Sequence, residues 1–406
     1  MKTYLVGGAV RDKLLGIKSQ DKDWVVVGSS SEEMLKLGFA QVGADFPVFL
    51  HPKTKEEYAL ARTERKSGLG YQGFECQTSK EVTLEEDLLR RDLTINAMAM
   101  SETGQIIDPY SGQNDLNSKT LRHVSPAFSE DPLRILRVAR FAARFDHMGF
   151  EIASETLQLM TAMTQKGEAA HLIAERVWQE TFRALGERSP WVFFEILQKT
   201  GCLAVLFPEI DSLLGIPQPE KHHPEIDCGI HAIMSLKAAC KLSKDPVIRF
   251  ASLVHDLGKA CTDKNNWPSH HGHEQLGLKP IKQLCTRLRI PNAYRDLALL
   301  TCEYHTHIHR AYELKSSTIL NTLKHCDAFR RPERFQDILS CSKADSQGRT
   351  GFEQTDYPQA DFFSAALSTS LTINARALIS QGISGKEIGI KMDEARIKAI
   401  QCLRNS

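Results

Sequence analysis

The stretch Tyr4 to Val27, YLVGGAVRDKLLGIKSQDKDWVVV, constrains this chain more than any other, because it sets an apolar run, a glycine pair, a helix start and two neighbouring carboxylates side by side. Tyr4-Leu5-Val6 reads as a short buried strand, Gly7-Gly8 as a tight turn and Ala9 to Leu15 as the start of a helix, so backbone N–H groups are left exposed where the helix begins. Such a turn suits a triphosphate. Asp21 and Asp23 lie two apart, and a strand through Asp23 to Val27 has period 2, so both carboxylates point to one face. Two hard oxygen ligands on one face suit Mg²⁺. A glycine pair alone is a turn, and D-x-D alone is a solvated face. Their order and spacing together are what point to chemistry.

At 406 residues the chain has room for two or three domains. Lys+Arg 51 against Asp+Glu 50 leaves a net charge of +1, which excludes an indiscriminate polyanion binder and requires any nucleic-acid contact to come from a local basic patch. The ten cysteines are scattered without a C-x-x-C pair, which argues against a zinc knuckle or a disulfide framework and for reduced thiols in a cytoplasm. No signal peptide and no internal repeat are visible. No segment approaches the roughly 20 apolar residues of a membrane span.

From residue 1 to about 125 strand-like runs alternate with short helices and turns, as in Asp45 to Leu50 and Glu57 to Arg62, which predicts a small mixed sheet backed by helices. Glu57 is either a third carboxylate near Asp21 and Asp23 or an exposed edge residue. Ser67 to Phe74, with three glycines and two aromatics, is a loop that closes over a nucleotide or an ordinary linker. Thr83-Leu84-Glu85-Glu86 is a capping box, and the spacing predicts one helix running on through Asp87 to Ala97. A polar cluster inside an otherwise apolar helix suggests work in a cleft. Arg91 is the candidate phosphate clamp, and Asp92 and Asn96 are candidates for contacting or orienting a ribose.

Pro132 fits the first turn of a second helix on which Leu133, Leu136, Ala139 and Ala143 form an apolar stripe, with Arg137, Arg140 and Arg144 beside it. This pattern admits two readings. In one, Asp131 caps the helix and the arginines coat its surface. In the other, Arg137 and Arg140 bind phosphates while Asp131 and Arg134 offer an acceptor and a donor to the base edge of cytosine or adenine.

Gly7-Gly8-Ala9-Val10-Arg11-Asp12, Asp21-Lys22-Asp23, Arg90-Arg91-Asp92-Leu93-Thr94-Ile95-Asn96-Ala97 and Glu130-Asp131-Pro132-Leu133-Arg134 resemble, in order and spacing, the motifs of the class II tRNA nucleotidyltransferases, the CCA-adding enzymes built on a polymerase β type head. The resemblance implies addition of C, C and A to tRNA 3′ ends from CTP and ATP, the protein itself selecting the base. It implies that Asp21 and Asp23 bind Mg²⁺, that Gly8 and Arg11 contact the triphosphate, that Arg91 takes nucleotide, and that Asp131, Arg134, Arg137 and Arg140 read and hold it.

Residues 145 to 222 read as helical, with Trp178, Phe182, Trp191, Phe193, Phe194 and Leu197 as core and Gly215 to Pro219 as a linker. Eleven of the fifteen histidines then fall between His222 and His325. His231, the pair His255-Asp256 and Asp327 follow one another in an order that suits a divalent metal and resembles the HD-domain phosphohydrolases, whose ligand positions they match. His270, His271, His273 and His305 either complete a second metal position or bind a phosphate. A head of the first kind joined to an HD domain is similar to the multifunctional CCA proteins of gamma-proteobacteria. That implies 2′,3′-cyclic phosphodiesterase, 2′-nucleotidase and phosphatase activity with Ni²⁺ or another transition metal, a coherent way to mend a tRNA end before extending it.

The expected fold is therefore α+β: a mixed-sheet head over 1–140, a helical neck and body over 141–222, an all-α HD domain over 223–330 and a helical tail over 331–406 that ends in an amphipathic helix. The expected protein is a cytoplasmic monomer or homodimer without membrane contact. The rival readings are a poly(A) polymerase, built on the same head, and a CCA enzyme whose histidine-rich domain only binds tRNA.

Overall fold

Val6 and Asp23 face one another across the antiparallel pair of β1 (Lys2–Val6) and β2 (Asp23–Val27), so the register itself brings the turn after β1 beside the first residue of β2. The computed structural model describes residues 1–18, 22–42, 48–66, 74–221, 223–380 and 383–405, in two compact units, Met1–Leu206 and Phe207–Ser406. Asp21, the Asp45 to Pro47 part of the expected strand and Ser67 to Gly73 of the expected loop lie outside the described residues.

In the first unit, α1 (Gly8–Leu14) follows β1, and α2 (Ser31–Lys36) follows β2 behind a Ser30 capping box. Then come β3 (Ala40–Val42), β4 (Val48–Leu50), β5 (Glu57–Leu60), β6 (Arg62–Lys66), β7 (Phe74–Thr78), α3 (Leu84–Leu89), β8 (Ala99–Ser101) and β9 (Ile106–Ile107). The seven-stranded sheet has the order β3-β4-β5-β2-β1-β8-β9, with β2 parallel to β5 and the other pairs antiparallel. Both faces of β2 are covered. Val25 packs with Val6, Leu84, Leu88 and Ala97 on one side, and Val26 with Met34, Phe49 and Leu60 on the other, which explains the unbroken Val25-Val26-Val27 run.

The helix expected from Thr83 to Ala97 is broken. The capping box is present, but α3 stops at Leu89, Leu93 is extended and pairs with His123, and Thr94 N–H donates to Arg122 O instead of continuing the helix. Around the break Arg90 and Arg91 both pair with Asp87, while Asp92 turns to Arg137 and Asn96. After α4 (Gly112–Asn117), β10 (Thr120–Leu121) pairs with β11 (Glu151–Ile152), and between them α5 (Leu133–Phe145) runs uninterrupted through position 140. Helices α6 (Ser154–Gln165), α7 (Ala174–Gly186), α8 (Pro190–Lys199) and α9 (Cys202–Leu206) complete the unit. Phe193, Phe194 and Leu197 are buried in it, whereas Trp178 and Trp191 are half-buried and Phe182 is 45% exposed, so the last is not core.

The second unit is helical: α10 (Pro208–Asp211), α11 (Cys228–Leu242), α12 (Pro246–Val254), α13 (His273–Leu276), α14 (Leu278–Arg287), α15 (Asn292–His309), α16 (Ser316–His325), α17 (Pro332–Gln347), α18 (Pro358–Thr372), α19 (Ala375–Ile379) and α20 (Lys386–Asn405). Gly215 to Pro219 is not a free linker. Ile216 and Gln218 are buried, and Pro217 bridges to Asp227. Helix α17, which opens the expected tail, packs against α11, α12 and α15. No helix among the described residues is long and apolar enough to cross a membrane.

Candidate functional site

The turn after β1 opens on a cleft of about 780 Å³ lined by nine arginines (11, 90, 91, 134, 137, 140, 144, 176 and 183) and Lys18 against the aspartates 12, 23, 92 and 131. The excess of cationic side chains suits a polyanion. Gly7 and Gly8 lie at one wall, and Asp23 is exposed beside them at the head of β2. Glu57 is in register with Asp23 and exposed, but it does not line the cleft.

The arginines are held by an acid network. Arg11 is buried between the rings of Phe141 and Phe145, its Nε donates to Asp12 Oδ1 at 2.8 Å and its Nη1 to Asn96 Oδ1. Asn96 Nδ2 donates to Asp92 Oδ1 at 2.9 Å, and Arg137 Nε donates to Asp92 Oδ2 at 2.8 Å. Burial alone would raise the Asp92 pKa, but Arg137, Asn96 and the Leu93 N–H outweigh it and hold the carboxyl well below the usual carboxylate range. Arg140 Nε donates to buried Glu180 Oε2 at 2.6 Å, and Arg137 and Arg183 approach the other oxygen at 3.8 and 3.7 Å. Arg91 pairs with Asp87 at 3.3 Å. Asp131 Oδ1 accepts from the Leu133 N–H at 3.0 Å, just ahead of α5, and the carboxylate meets Arg176 at 3.5 Å. Arg134 donates to the carbonyls of Ala127 and Arg90. Thus Gly8, Arg11, Asp23, Arg91, Asp131, Arg134, Arg137 and Arg140 share one cleft, and Asp21 lies outside the described residues. Sequence reasoning missed Glu180, Arg176 and Asp12; Glu180, a carboxylate among the buried positions of amphipathic α7, was the available signal.

In the second unit His231, His255 and Asp256 come together with His273, His305 and Asp345, all within the reach of one or more metal ions. His231 Nε2 is 3.1 Å from Asp345 Oδ1 and 3.8 Å from Asp256 Oδ2. His255 Nε2 is 3.2 Å from Asp256 Oδ2 and 3.5 Å from Asp345 Oδ2, while His273 and His305 Nε2 lie 3.3 and 3.5 Å from Asp256 Oδ1. His255 Nε2 and Asp256 Oδ1 are buried without an aligned hydrogen bond. Burial disfavours a charged His255, yet Asp256 and Asp345 outweigh it and lift the pKa to about 10. His305 is instead pushed well below the ordinary value, burial being the main cause, and stays a neutral donor. A mixed imidazole and carboxylate set of this kind fits a divalent transition metal.

Close backbone approach builds the site. A Cβ on Gly258 would meet His273 O at 1.9 Å, so only glycine lets the turn after Asp256 press on α13. Lys259 Nζ lies 2.7 Å from Asp256 Oδ2, and a cavity of about 400 Å³ beside the cluster is lined by Lys259, His273, His309 and Arg349 among others.

Asp327 does not belong here. It sits at φ 56° after α16, and Arg330, Arg331 and Arg334 surround its carboxylate at 2.6, 3.6 and 3.7 Å. The carboxylate that completes the cluster is Asp345 on α17. His271 is exposed, and His270 has both ring nitrogens engaged, with Thr262 Oγ1 at 2.7 Å and Pro217 O at 2.7 Å, which leaves it structural.

Residues 3–122 match the family model described as the Poly A polymerase head domain, 149–214 that of a probable RNA and SrmB-binding site of polymerase A, and 229–331 that of the HD domain. Over 406 residues the chain is 57% identical to the multifunctional CCA protein of Teredinibacter turnerae, covering 100% of this chain and 99% of that one. It is 58% identical over 404 residues to the multifunctional CCA protein of Thioalkalivibrio sulfidiphilus, with the same coverage. The solved structure of the Thermotoga maritima CCA-adding enzyme complexed with tRNA aligns with a TM-score of 0.65 at 21% identity, over 98% of this chain and 87% of that one. At that identity the likeness is one of fold.

Proposed function

This chain belongs to the multifunctional CCA protein family and is a nucleotidyltransferase with an attached HD phosphohydrolase domain; from that premise we propose that it adds C, C and A to tRNA ends from CTP and ATP, and repairs those ends with its second centre. The observation that carries the reading is the arginine-walled cleft that Gly8, Asp23 and Asp131 line together.

We assign the transfer chemistry to residues 1–140 with nucleotide and tRNA contacts in 141–222, and hydrolysis to 223–330 together with α17 of the 331–406 segment. Asp21 and Asp23 would hold Mg²⁺, which when bound activates the 3′-hydroxyl and neutralises charge on the departing pyrophosphate. Gly8, Arg11 and Arg91 grip the triphosphate. Arg137 and Arg140 sit on α5 with guanidinium planes fixed by Asp92 and Glu180, and Asp131 is steadied by Arg176 to accept from the exocyclic amine that cytosine and adenine share. Orientation by fixed side chains, rather than a template strand, then selects the base.

In the second unit His231, His255, Asp256, His273, His305 and Asp345 would hold Ni²⁺ or another divalent transition ion, which when bound supplies a nucleophile from water near neutral pH. Lys259, Arg349 and His309 line the adjoining cavity and would take the phosphoryl oxygens of a 2′,3′-cyclic or 2′-phosphate. From such work on tRNA we infer that the protein acts in the cytoplasm.

The test is to incubate the purified chain with truncated tRNA, CTP, ATP and Mg²⁺ and sequence the product ends. Three added nucleotides support the reading, and a long adenylate tract overturns it in favour of a poly(A) polymerase. Asp21→Ala with Asp23→Ala should abolish incorporation, and His255→Ala should remove cyclic phosphodiesterase activity alone.

A further inference from the structure

Four imidazoles converge on the cluster of the second unit, and three of them are oriented by main chain. His255 Nδ1 donates to Ser252 O at 2.8 Å, His273 Nδ1 to His270 O at 2.9 Å and His305 Nδ1 to Cys302 O at 3.0 Å. A carbonyl only accepts, so the ring proton stays on Nδ1 and each Nε2 is left to face the carboxylates. His231 differs. Its buried Nδ1 lies 3.0 Å from a side chain, Glu225 Oε1, close enough for charge attraction but not aligned as a hydrogen bond, while its Nε2 faces Asp345.

We propose that Glu225, though its carboxylate with His223 and His231 also lies within ligand distance of a single point, is a positioning residue of this centre, drawing the His231 ring proton to Nδ1 and turning Nε2 toward the ion, so that one carboxylate behind the ring governs metal affinity. This rests on reading the cluster as a metal centre. The Glu225 side chain is 2% exposed, so its attraction for an N–H is little screened by water. Its place is fixed from several sides: Oε1 also meets His223 Nδ1 at 3.0 Å and accepts from Gln218 Nε2 at 3.3 Å, and Oε2 accepts from Thr350 N at 3.4 Å. The loop that carries it is pinned by Gln218 N–H to Ile226 O at 2.7 Å and by Asp227, which caps α11 through the Ile230 N–H at 2.9 Å. The carboxylate therefore does not follow the imidazole; the imidazole follows it. His223, tied to the same oxygen, lines the cavity next to the cluster, so Glu225 also links a ligand to the wall against which substrate would rest.

Such outer carboxylates raise ligand basicity and fix ring orientation, and losing one typically costs about 10–100-fold in metal affinity. The experiment uses the full chain, stripped with chelator and titrated calorimetrically with NiCl₂, as wild type, Glu225→Ala, Glu225→Gln, His231→Ala and the double variant of the two alanine changes. Glu225→Ala should raise Kd about 10–100-fold, and Glu225→Gln, which keeps one acceptor oxygen, should raise it less. In the His231→Ala background the Glu225 change should add nothing, because it acts through that ring. An unchanged Kd in Glu225→Ala, additive effects in the double variant, or a fall in helix content in both Glu225 variants overturns the proposal. If wild type takes up none of Ni²⁺, Mn²⁺ or Zn²⁺, the metal reading itself fails, an outcome distinct from uptake that is indifferent to Glu225.

Discussion

Gly7 and Arg91 interlock: Gly7 sits at φ 67°, and a Cβ built on it would meet Arg91 Nη1 at 2.8 Å. Gly7→Ala combines the strain of a φ 67°, ψ −130° backbone, a sparsely populated conformation that costs a side chain about 1–3 kcal/mol, with displacement of Arg91 from the cleft. Urea unfolding should show that loss, and CTP incorporation should fall with it. Gly28→Ala is the control. Gly28 has φ 72° and nothing within 4 Å of its Cβ position, so stability alone should drop.

Glu180 is the acid on which Arg137, Arg140 and Arg183 converge, and its side chain is 4% exposed. Removing one partner of a buried ion pair strands the other. Glu180→Ala should therefore cost about 3–5 kcal/mol in chemical denaturation of the first unit.

Asp92 gives the first unit an acid limb. Burial would raise its pKa, but Arg137, Asn96 and the Leu93 N–H depress it, so the unfolded chain, with an ordinary carboxyl near about 3.9, binds the proton first as pH falls. The stabilisation is complete above that value and is lost as pH drops through the folded-state value. Unfolding free energy measured from about pH 5 down to about pH 2 should decline more steeply on acidification in wild type than in Asp92→Asn.

Asp345 and Asp327 make opposite predictions. Asp345→Asn should remove Ni²⁺ uptake and cyclic phosphodiesterase activity by more than the roughly 100-fold that loss of an outer partner costs. Asp327→Asn should leave both intact, because its carboxylate is occupied by Arg330, Arg331 and Arg334. Calorimetry and hydrolysis of a 2′,3′-cyclic nucleotide check the pair.

What was legible in the sequence was whatever local periodicity carries. The order of β1, the glycine turn, α1 and β2 follows from period-2 apolar runs broken by Gly7-Gly8, and α5 from Pro132 and its apolar stripe. The break after Leu89 was not legible, because Leu88, Leu93 and Ile95 keep an apolar rhythm while the Thr94 N–H is claimed by Arg122, a partner well along the chain. Asp345 escaped for a similar reason. Its role depends on α17 packing against α11 and α15, although one hint was present: it shares a buried face with Phe335, Ile338, Cys341 and Ser342, where an acid is out of place unless something binds it. Asp327, with three arginines downstream, had the pattern of a solvated helix end.

The position of Asp345 also orders events during synthesis. Every described residue lining the arginine cleft has been synthesised by Arg183, so that pocket can assemble while later parts of the chain are still being translated. The histidine centre waits for α17, beyond the stretch that matches the HD family. A premature stop after His305 but before Asp345 would release a chain still equipped to grip nucleotide but with its hydrolytic centre one acid short.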